Sequence, residues 1–591
     1  MNIRHFSTLI FYRWLCNATL LSSPRFWFLL AIFAVGAGCL RIAEIAFRAS
    51  PTDLEPSLIV SGLSHLEFGR FELFSVNPPL VRTIAALPVY LAGYSMEWDR
   101  VVLSPSTRPE FAAASIFTEL NGVRTSHLIS LARSTTLAYF ILGATCCFYW
   151  ARQIGKSALG GFVAILLWCT DPTIFGHSAL ATNDIAVASF CLISSFSFAK
   201  WVRNGTRSQA LLCGMATGVS INCKFSALLL LVSYALSFVI LTCFSVIPLM
   251  TRGRAVGIAI ILVGCSIVVN AGYLFQRTFV PLGEYSFVSS LFNVSDQPVG
   301  NRFAESILGR LPVPFPEQML FGLDKQNRDF ESYSHDSYLR GYWKHGGWWY
   351  YYIYAFCVKI PIFHLILIGF SILYACWVNP FFKARIYFTS NSVDVVILAI
   401  FIAVYSMVLS SQLEFNTHFR YSLPVFGPLF VIVGSLFGSF QKTKLAQICA
   451  LSLFLLGITR ILGCSEPISF FNILAGGNEN GYRHLLGSSF DWGQDAKNVC
   501  LALQERNING RDVDSSFYHY THWDSITKFN SEQRKAKWYL VDAETITKNE
   551  LLHAYVRRKP FSRLTVTAWI LSSEEMYRNH LFEHLSLKSQ K

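Results

Sequence analysis

Phe26–Phe47, FWFLLAIFAVGAGCLRIAEIAF, is the stretch whose reading decides the fold. It is apolar throughout, apart from Arg41 and Glu44. At 1.5 Å per residue, a helix of this length covers a hydrocarbon core about 30 Å thick. No small-residue cleavage site follows a short apolar core, so the stretch is expected to be a retained anchor. The preceding Phe6–Leu21, interrupted by Arg13, is expected to lie along the interface. Immediately behind the anchor come Asp53-Leu54-Glu55-Pro56 and then Asn77-Pro78-Pro79-Leu80. Acids held just outside a span, followed by a stiff Pro-Pro re-entry, suit a membrane enzyme that works on the head of a lipid-linked substrate.

Further apolar runs follow at 133–151, 158–171, 182–200, 208–223, 225–246, 255–275, 349–378, 392–411, 421–440 and 444–463, giving about eleven spans in all. Charged residues make up 14% of the chain and hydrophobic ones 53%, with mean hydropathy +0.40. A soluble chain carries about a quarter charged residues, so this composition excludes one. The net charge of +13 does not point to nucleic acid, because the cations sit between spans rather than on one face. The 15 cysteines show no CxxC pair and no zinc spacing, and most fall within apolar runs.

Basic clusters occupy every second connection: Arg4, Arg13 and Arg25, then Arg152/Lys156, Lys200/Arg203/Arg207, Arg252/Arg254, Lys383/Arg385 and Lys442/Lys444. This alternation predicts a cytoplasmic N-terminus (residues 1–25) and, with an odd span number, an extracytoplasmic C-terminal segment. Residues 26–463 then form the transmembrane domain, with outer loops 48–132 and 276–348. Within the first loop, Pro78–Gly93 is too short and too Pro-punctuated to span, and is expected to lie on the surface or half-inserted. Residues 464–591 change composition. A helical pattern at Ala496–Glu505 alternates with strand-like runs at Trp538–Val541 and Arg563–Leu571, so a small α/β domain is expected there. The predicted class is an all-α polytopic membrane protein carrying that domain.

Several charged residues stand out against the apolar background. Asp53 and Glu55 are candidate proton acceptors for a transfer to a hydroxyl; the alternative is that they are ordinary loop acids in water. Asp184, with His177 and Asp171 nearby, is a candidate for binding a divalent cation or the acceptor, or equally for capping the helix that starts there. Lys224 stands in a polar gap between two apolar runs and is a candidate for binding the lipid phosphate. Lys359 lies inside an otherwise apolar run, where a charge costs about 2.5–3.5 kcal/mol; a phosphate or an internal ion pair would repay it. Arg420 and Arg133 begin two spans and are candidates for gripping a lipid phosphate. Trp348–Tyr352 forms an aromatic belt at the interface. Asp491 and Asp495 lie in a Gly- and Asn-rich turn region, and their residue types alone assign them no role.

Taken in order, these pieces resemble the family-39-like, polyprenyl-phosphate-dependent glycosyltransferases of the GT-C superfamily, which include protein O-mannosyltransferases and aminoarabinose transferases. The resemblance runs through Glu55-Pro56 with Gly62, Asn77–Leu80, Ala181–Asp184, Lys224-Phe225-Ser226, Gly346–Tyr352 with Lys359-Ile360-Pro361, Arg420–Pro424, and Phe471-Asn472 through Asp491-Trp492-Gly493-Gln494-Asp495. It looks closest to bacterial members. The resemblance implies a polyprenyl-phosphate sugar as donor, a protein, lipid or glycan acceptor, an outward-facing site at the inner (plasma) membrane, and inversion at the anomeric carbon. It also implies a catalytic acid in the first outer loop, usually within Asp-Glu. Here that pair reads Leu54-Glu55, leaving Glu55, or Asp53 from a shifted position, to act. The residue before Pro-Pro-Leu, basic or His in some members, is Asn77. Two rival readings stay open: a carrier or flippase for lipid-linked saccharides, and an inactive envelope scaffold.

Overall fold

The structure is a computed structural model that describes residues 21–104, 108–247, 251–293, 298–332, 336–378, 392–412, 417–518, 536–559, 562–579 and 581. Arg4, the Phe6–Leu20 stretch and Lys383/Arg385 lie outside the described residues.

The chain opens with α1 (Pro24–Arg48), whose Pro24 sits in the first helical turn, where a missing N–H costs nothing. The first outer segment is itself helical: α2 (Glu55–Phe68), α3 (Leu80–Ala92), α4 (Pro109–Asn121) and α5 (Arg124–Arg133). Helix α3 is the short element expected near Pro78–Gly93; it turns Val81, Ala85, Ala86 and Val89 inward and leaves Leu87 and Leu91 exposed. It crosses α2 at Gly62, where an added Cβ would lie 2.1 Å from the Arg82 carbonyl oxygen. The bundle proper contains α6 (Thr136–Gly155), α7 (Ala158–Thr170), α8 (Pro172–Ser178), α9 (Asn183–Asn204), α10 (Arg207–Cys223), α11 (Leu229–Cys243) and α12 (Arg252–Gly272). After the second outer segment, with α13 (Glu317–Ser332) and the hairpin β1 (Ser337–Leu339)–β2 (Tyr342–Lys344), come α14 (Tyr351–Lys359), α15 (Ile362–Val378), α16 (Ser392–Ser411), α17 (Leu423–Gly438) and α18 (Lys444–Gly463).

Among the described residues, eight helices are long and apolar enough to cross a membrane, or up to ten if two bent pairs each count as one span. The protein is an integral membrane protein of mostly helical fold. The eleven-span reading also counted 208–223; that run is α10, 17 residues packed between α9 and α12. Two further differences have local causes. The span read as 133–151 is the far part of a continuous 32-residue helical stretch from Arg124 to Gly155, because the polar residues 124–133 carry the helix beyond the apolar run. The run read as one span over 349–378 bends by 118° between α14 and α15. Pro361 has no N–H to donate, and Ile360 before it is extended at φ −85°, ψ 137°, as a residue preceding proline prefers.

The centre of the bundle is α6, α7, α9 and α17. Helices α7 and α17 meet backbone to backbone: a Cβ at Gly160 would lie 2.6 Å from the Gly434 carbonyl oxygen, and one at Gly434 would lie 2.5 Å from that of Gly160. Small residues that let helices approach this closely are the usual device of membrane bundles. Beyond α18, Cys464–Asp495 runs over one end of the bundle in short 3-10 turns. It leads to α19 (Ala496–Glu505) and a three-stranded sheet, β3 (Val513–Phe517), β4 (Trp538–Asp542) and β5 (Ala568–Ser572). Strand β4 is central, parallel to β3 and antiparallel to β5.

Candidate active site

Three of the singled-out residues converge. Asp184 stands in the first turn of α9, where the positive end of the helix dipole favours a carboxylate. Lys224 ends α10 in an extended conformation (φ −162°, ψ 140°), which breaks the helix and aims the side chain across to Asp184. Its Nζ donates to Asp184 Oδ1 at 2.7 Å. Arg420 lies in the 3-10 turn Phe419–Ser422 just before α17, and its Nε is 3.3 Å from Asp184 Oδ2. One carboxylate therefore holds two cations, leaving a net positive charge.

The three residues line a cavity of about 600 Å³ at this end of the bundle. Its walls are largely apolar, with Leu54, Leu58, Phe74, Val76, Leu228 and Leu229, and tyrosines 352, 405 and 421 stand around the charged end. Lys224 Nζ lies 4.2 Å from the centre of the Tyr421 ring. Arg420 is fixed from behind by the Trp492 indole, 3.8 Å from the guanidinium carbon. His418 also lines the cavity; its Nδ1 is 2.8 Å from Ser488 Oγ. Burial, and then the charges of Arg420 and Lys224, hold its pKa well below the usual 6.5, so the ring is neutral at pH 7. Asp329, the other described carboxylate of the wall, is paired with Arg108 at 2.8 Å.

The structure places the remaining candidates elsewhere. Glu55 does not line the cavity, and it is fully enclosed. Its Oε1 accepts from Arg133 Nε at 2.7 Å and from the Ala181 N–H at 2.8 Å. Its Oε2 accepts from the Arg133 guanidinium at 2.6 Å and from the Thr52 N–H at 2.9 Å. Glu55 is therefore held by Arg133 and two backbone N–H groups, away from the cavity. Arg133 is 1% exposed and spends its other N–H groups on the carbonyls of Ala46, Ala49 and Ser50. The pair is an internal tie among α1, α2 and α5.

Asp53 lies outside the cavity lining, and its N–H donates to the Trp492 carbonyl at 3.4 Å. Lys359 is not deep in a straight helix. It sits at the broken end of α14, donates to the carbonyls of Ile468 at 2.6 Å and Ser489 at 2.7 Å, and lies over the Phe471 ring. Lys359 lies outside the cavity lining and gives two of its N–H groups to backbone carbonyls. His177 is buried beside Trp492, and among the described residues no group of three or more His, Cys, Asp or Glu is arranged to hold a metal. With Asp184 occupied by two cations, the divalent-ion reading of Asp184 and His177 has no ligand set.

In the late motif, Asp495 Oδ2 accepts from the hydroxyls of Thr565 at 2.6 Å and Thr567 at 2.7 Å, which ties the motif to the segment entering β5. Asp491 Oδ1 accepts from the Gly493 N–H and shapes the turn that presents Trp492 to Arg420. The residues that reading the chain missed are Trp492, His418 and Leu54. Leu54 and Trp492 stand within motifs of the chain and His418 lies two residues before Arg420, but no spacing marks their approach to the cavity.

The fold and the cavity define a multi-spanning membrane protein with a largely apolar cavity and a charged cluster at one end of its bundle. Within that class, residues 111–269 match the model of the family described as dolichyl-phosphate-mannose-protein mannosyltransferase. This agrees with the resemblance drawn from the motifs: the chain is similar to membrane glycosyltransferases of the GT-C type. The matched stretch holds Asp184 and Lys224 and stops short of Arg420. Among solved structures, ArnT from Cupriavidus metallidurans is similar in its apo state, with 11% identity and TM-score 0.44. The same protein bound to undecaprenyl phosphate gives 10% and 0.43, and both comparisons cover 91% of this chain and 97% of that one. The archaeal oligosaccharyltransferase AglB from Archaeoglobus fulgidus, in complex with an inhibitory peptide and a dolichol-phosphate, is 11% identical with TM-score 0.43, covering 89% of this chain and 70% of that one. No curated protein matches the chain.

Proposed function

We propose that the protein transfers a sugar from a polyprenyl-phosphate carrier to an acceptor hydroxyl at the extracytoplasmic face of the inner membrane. The observation that carries this reading is the convergence of Lys224 and Arg420 on Asp184 at the wall of a largely apolar cavity. The apolar wall suits isoprene units, and two cations suit the phosphate that ends them. The extracytoplasmic assignment comes from the basic clusters at the other ends of the spans.

The donor phosphate takes over Lys224 and Arg420, and this releases Asp184 from both cations. A carboxylate that loses opposite charges becomes more basic. Asp184 then accepts the acceptor's proton while the acceptor oxygen bonds to the anomeric carbon from the face opposite the phosphate. The carbon–oxygen bond to the phosphate breaks, and its electron pair leaves with the lipid phosphate, whose growing charge the two cations hold. Attack from the opposite face inverts that carbon. Trp492 keeps Arg420 in place from the C-terminal side.

The test is transfer by the purified protein in detergent with a panel of polyprenyl-phosphate sugars, following release of the lipid phosphate. Arg420→Ala and Lys224→Ala are expected to weaken donor binding and lower turnover at least a hundredfold. Asp184→Asn is expected to abolish turnover while keeping donor binding. If every donor of the panel is left unconsumed by folded protein, the enzyme reading fails. If Asp184→Asn is active, Asp184 is not the base.

A further inference from the structure

At the other end of the bundle, we propose, a basic groove between α6 and α9 binds a phospholipid with a negatively charged headgroup. The groove encloses about 780 Å³ and is lined only by residues of these two helices and the turn after α6. Its deep part is apolar, and Leu142 and Tyr149 are 41% and 48% exposed there. Its outer rim carries Arg152, Lys156 and Lys200. Along α6, Leu142 and Arg152 are about 15 Å apart. Oily wall below and cations above is the order in which a phospholipid presents its chains and its phosphate.

The charges at the rim are uncompensated. No carboxylate lines the groove, and among the described residues no ion pair involves Arg152, Lys156 or Lys200. The contrast with Arg203, one turn beyond Lys200, is informative: its guanidinium is paired with Asp394, which also accepts from Trp150 Nε1 at 2.7 Å. Arg203 is neutralised by a carboxylate, whereas the three cations of the groove have none beside them. Lys200 is held over the Phe196 ring, its Nζ 4.3 Å from the centre, and so stays at the rim.

This site is separate from the cavity at Asp184. Helix α9 carries Asp184 in its first turn and Lys200 near its end, about 24 Å further along. Under the positive-inside pattern, the groove faces the leaflet in which anionic lipids attract juxtamembrane cations.

Native mass spectrometry of the full chain, titrated separately with phosphatidylglycerol, phosphatidylcholine, inorganic phosphate and a polyprenyl phosphate, tests the proposal. One phosphatidylglycerol is expected to bind with at least tenfold preference over phosphatidylcholine, and millimolar inorganic phosphate is expected not to displace it. The triple variant Arg152→Gln, Lys156→Gln, Lys200→Gln is expected to lose that affinity at least tenfold while binding polyprenyl phosphate unchanged. A control that removes three cations outside the groove, Arg252→Gln, Lys442→Gln and Lys444→Gln, is expected to behave as the parent. Equal affinity for the two phospholipids, undiminished binding by the triple variant, an equal loss in the control or displacement by free phosphate would each overturn the proposal. Should the triple variant not fold, Lys200→Gln alone carries the test, with a loss of at least threefold expected and no loss overturning it.

Discussion

Glu55 and Arg133 show how a buried charge is read at the scale of one residue. Reading along the chain singles out both, Glu55 as an acid of the first outer loop and Arg133 as the cation that begins a span. It cannot tell a substrate partner from an internal one. Here each is the other's partner, so removing one strands the other, at a cost of about 3–5 kcal/mol. Glu55→Gln and Arg133→Met are each expected to lower the thermal unfolding midpoint sharply. The double variant Glu55→Leu, Arg133→Met is expected to recover part of that loss. Equal stability of the single variants and the parent would show that the pair holds nothing together. Leu54, beside Glu55, supplies an apolar wall where the resembled family usually carries an acid, which is why the proton acceptor is sought at Asp184.

At the scale of elements, helix breaks were partly legible. Asp171-Pro172 and Lys359-Ile360-Pro361 carry the proline that ends a helix, and both become bends, of 62° and 118°. At the first, the Asp171 carboxylate accepts from the N–H groups of Thr173 at 2.9 Å and Ile174 at 3.2 Å, which starts α8 in a new direction. Which helices then touch is not encoded in any one run. The approach of α7 to α17 depends on Gly160 and Gly434, which look like ordinary small residues within apolar stretches. Gly434→Val would press a side chain onto the Gly160 carbonyl and the Ala164 methyl and is expected to cost about 1–3 kcal/mol by overpacking. Gly36→Val, in α1 with nothing within 4 Å of the added carbon, is the control. Tryptophan fluorescence during heating in detergent compares them, and equal midpoints would rule out a tight α7–α17 contact.

At the scale of the whole molecule, the C-terminal segment is locked to the first outer segment. The Ser50 and Asp53 N–H groups donate to the carbonyls of Gln494 and Trp492, and the Lys497 N–H donates to Ser50 Oγ at 2.7 Å. Acids crowd at this junction. Burial and the charge of Asp495 push Glu466 up to about 7, and burial and the same neighbour raise Asp491 well above the usual carboxylate range. Both folded-state values exceed those of the unfolded chain, so the folded form binds protons more tightly. The contribution of Glu466 is full below about pH 4 and is lost as pH rises through about 7, and Asp491 acts in the same direction. The unfolding midpoint is therefore expected to fall between pH 5.5 and pH 8, with a smaller fall in Glu466→Gln and Asp491→Asn; an identical pH profile in both variants would refute the assignment. What the sequence by itself determined is the class of protein and the short set of charges that matter, because the length and hydropathy of a run, and an ion set in it, are local properties. Only the tertiary structure decided that Arg133 answers Glu55 while Lys224 and Arg420 answer Asp184. Those pairings depend on the distance between helices remote in the chain, and that distance is fixed by close packing and bends rather than by any residue's own neighbours.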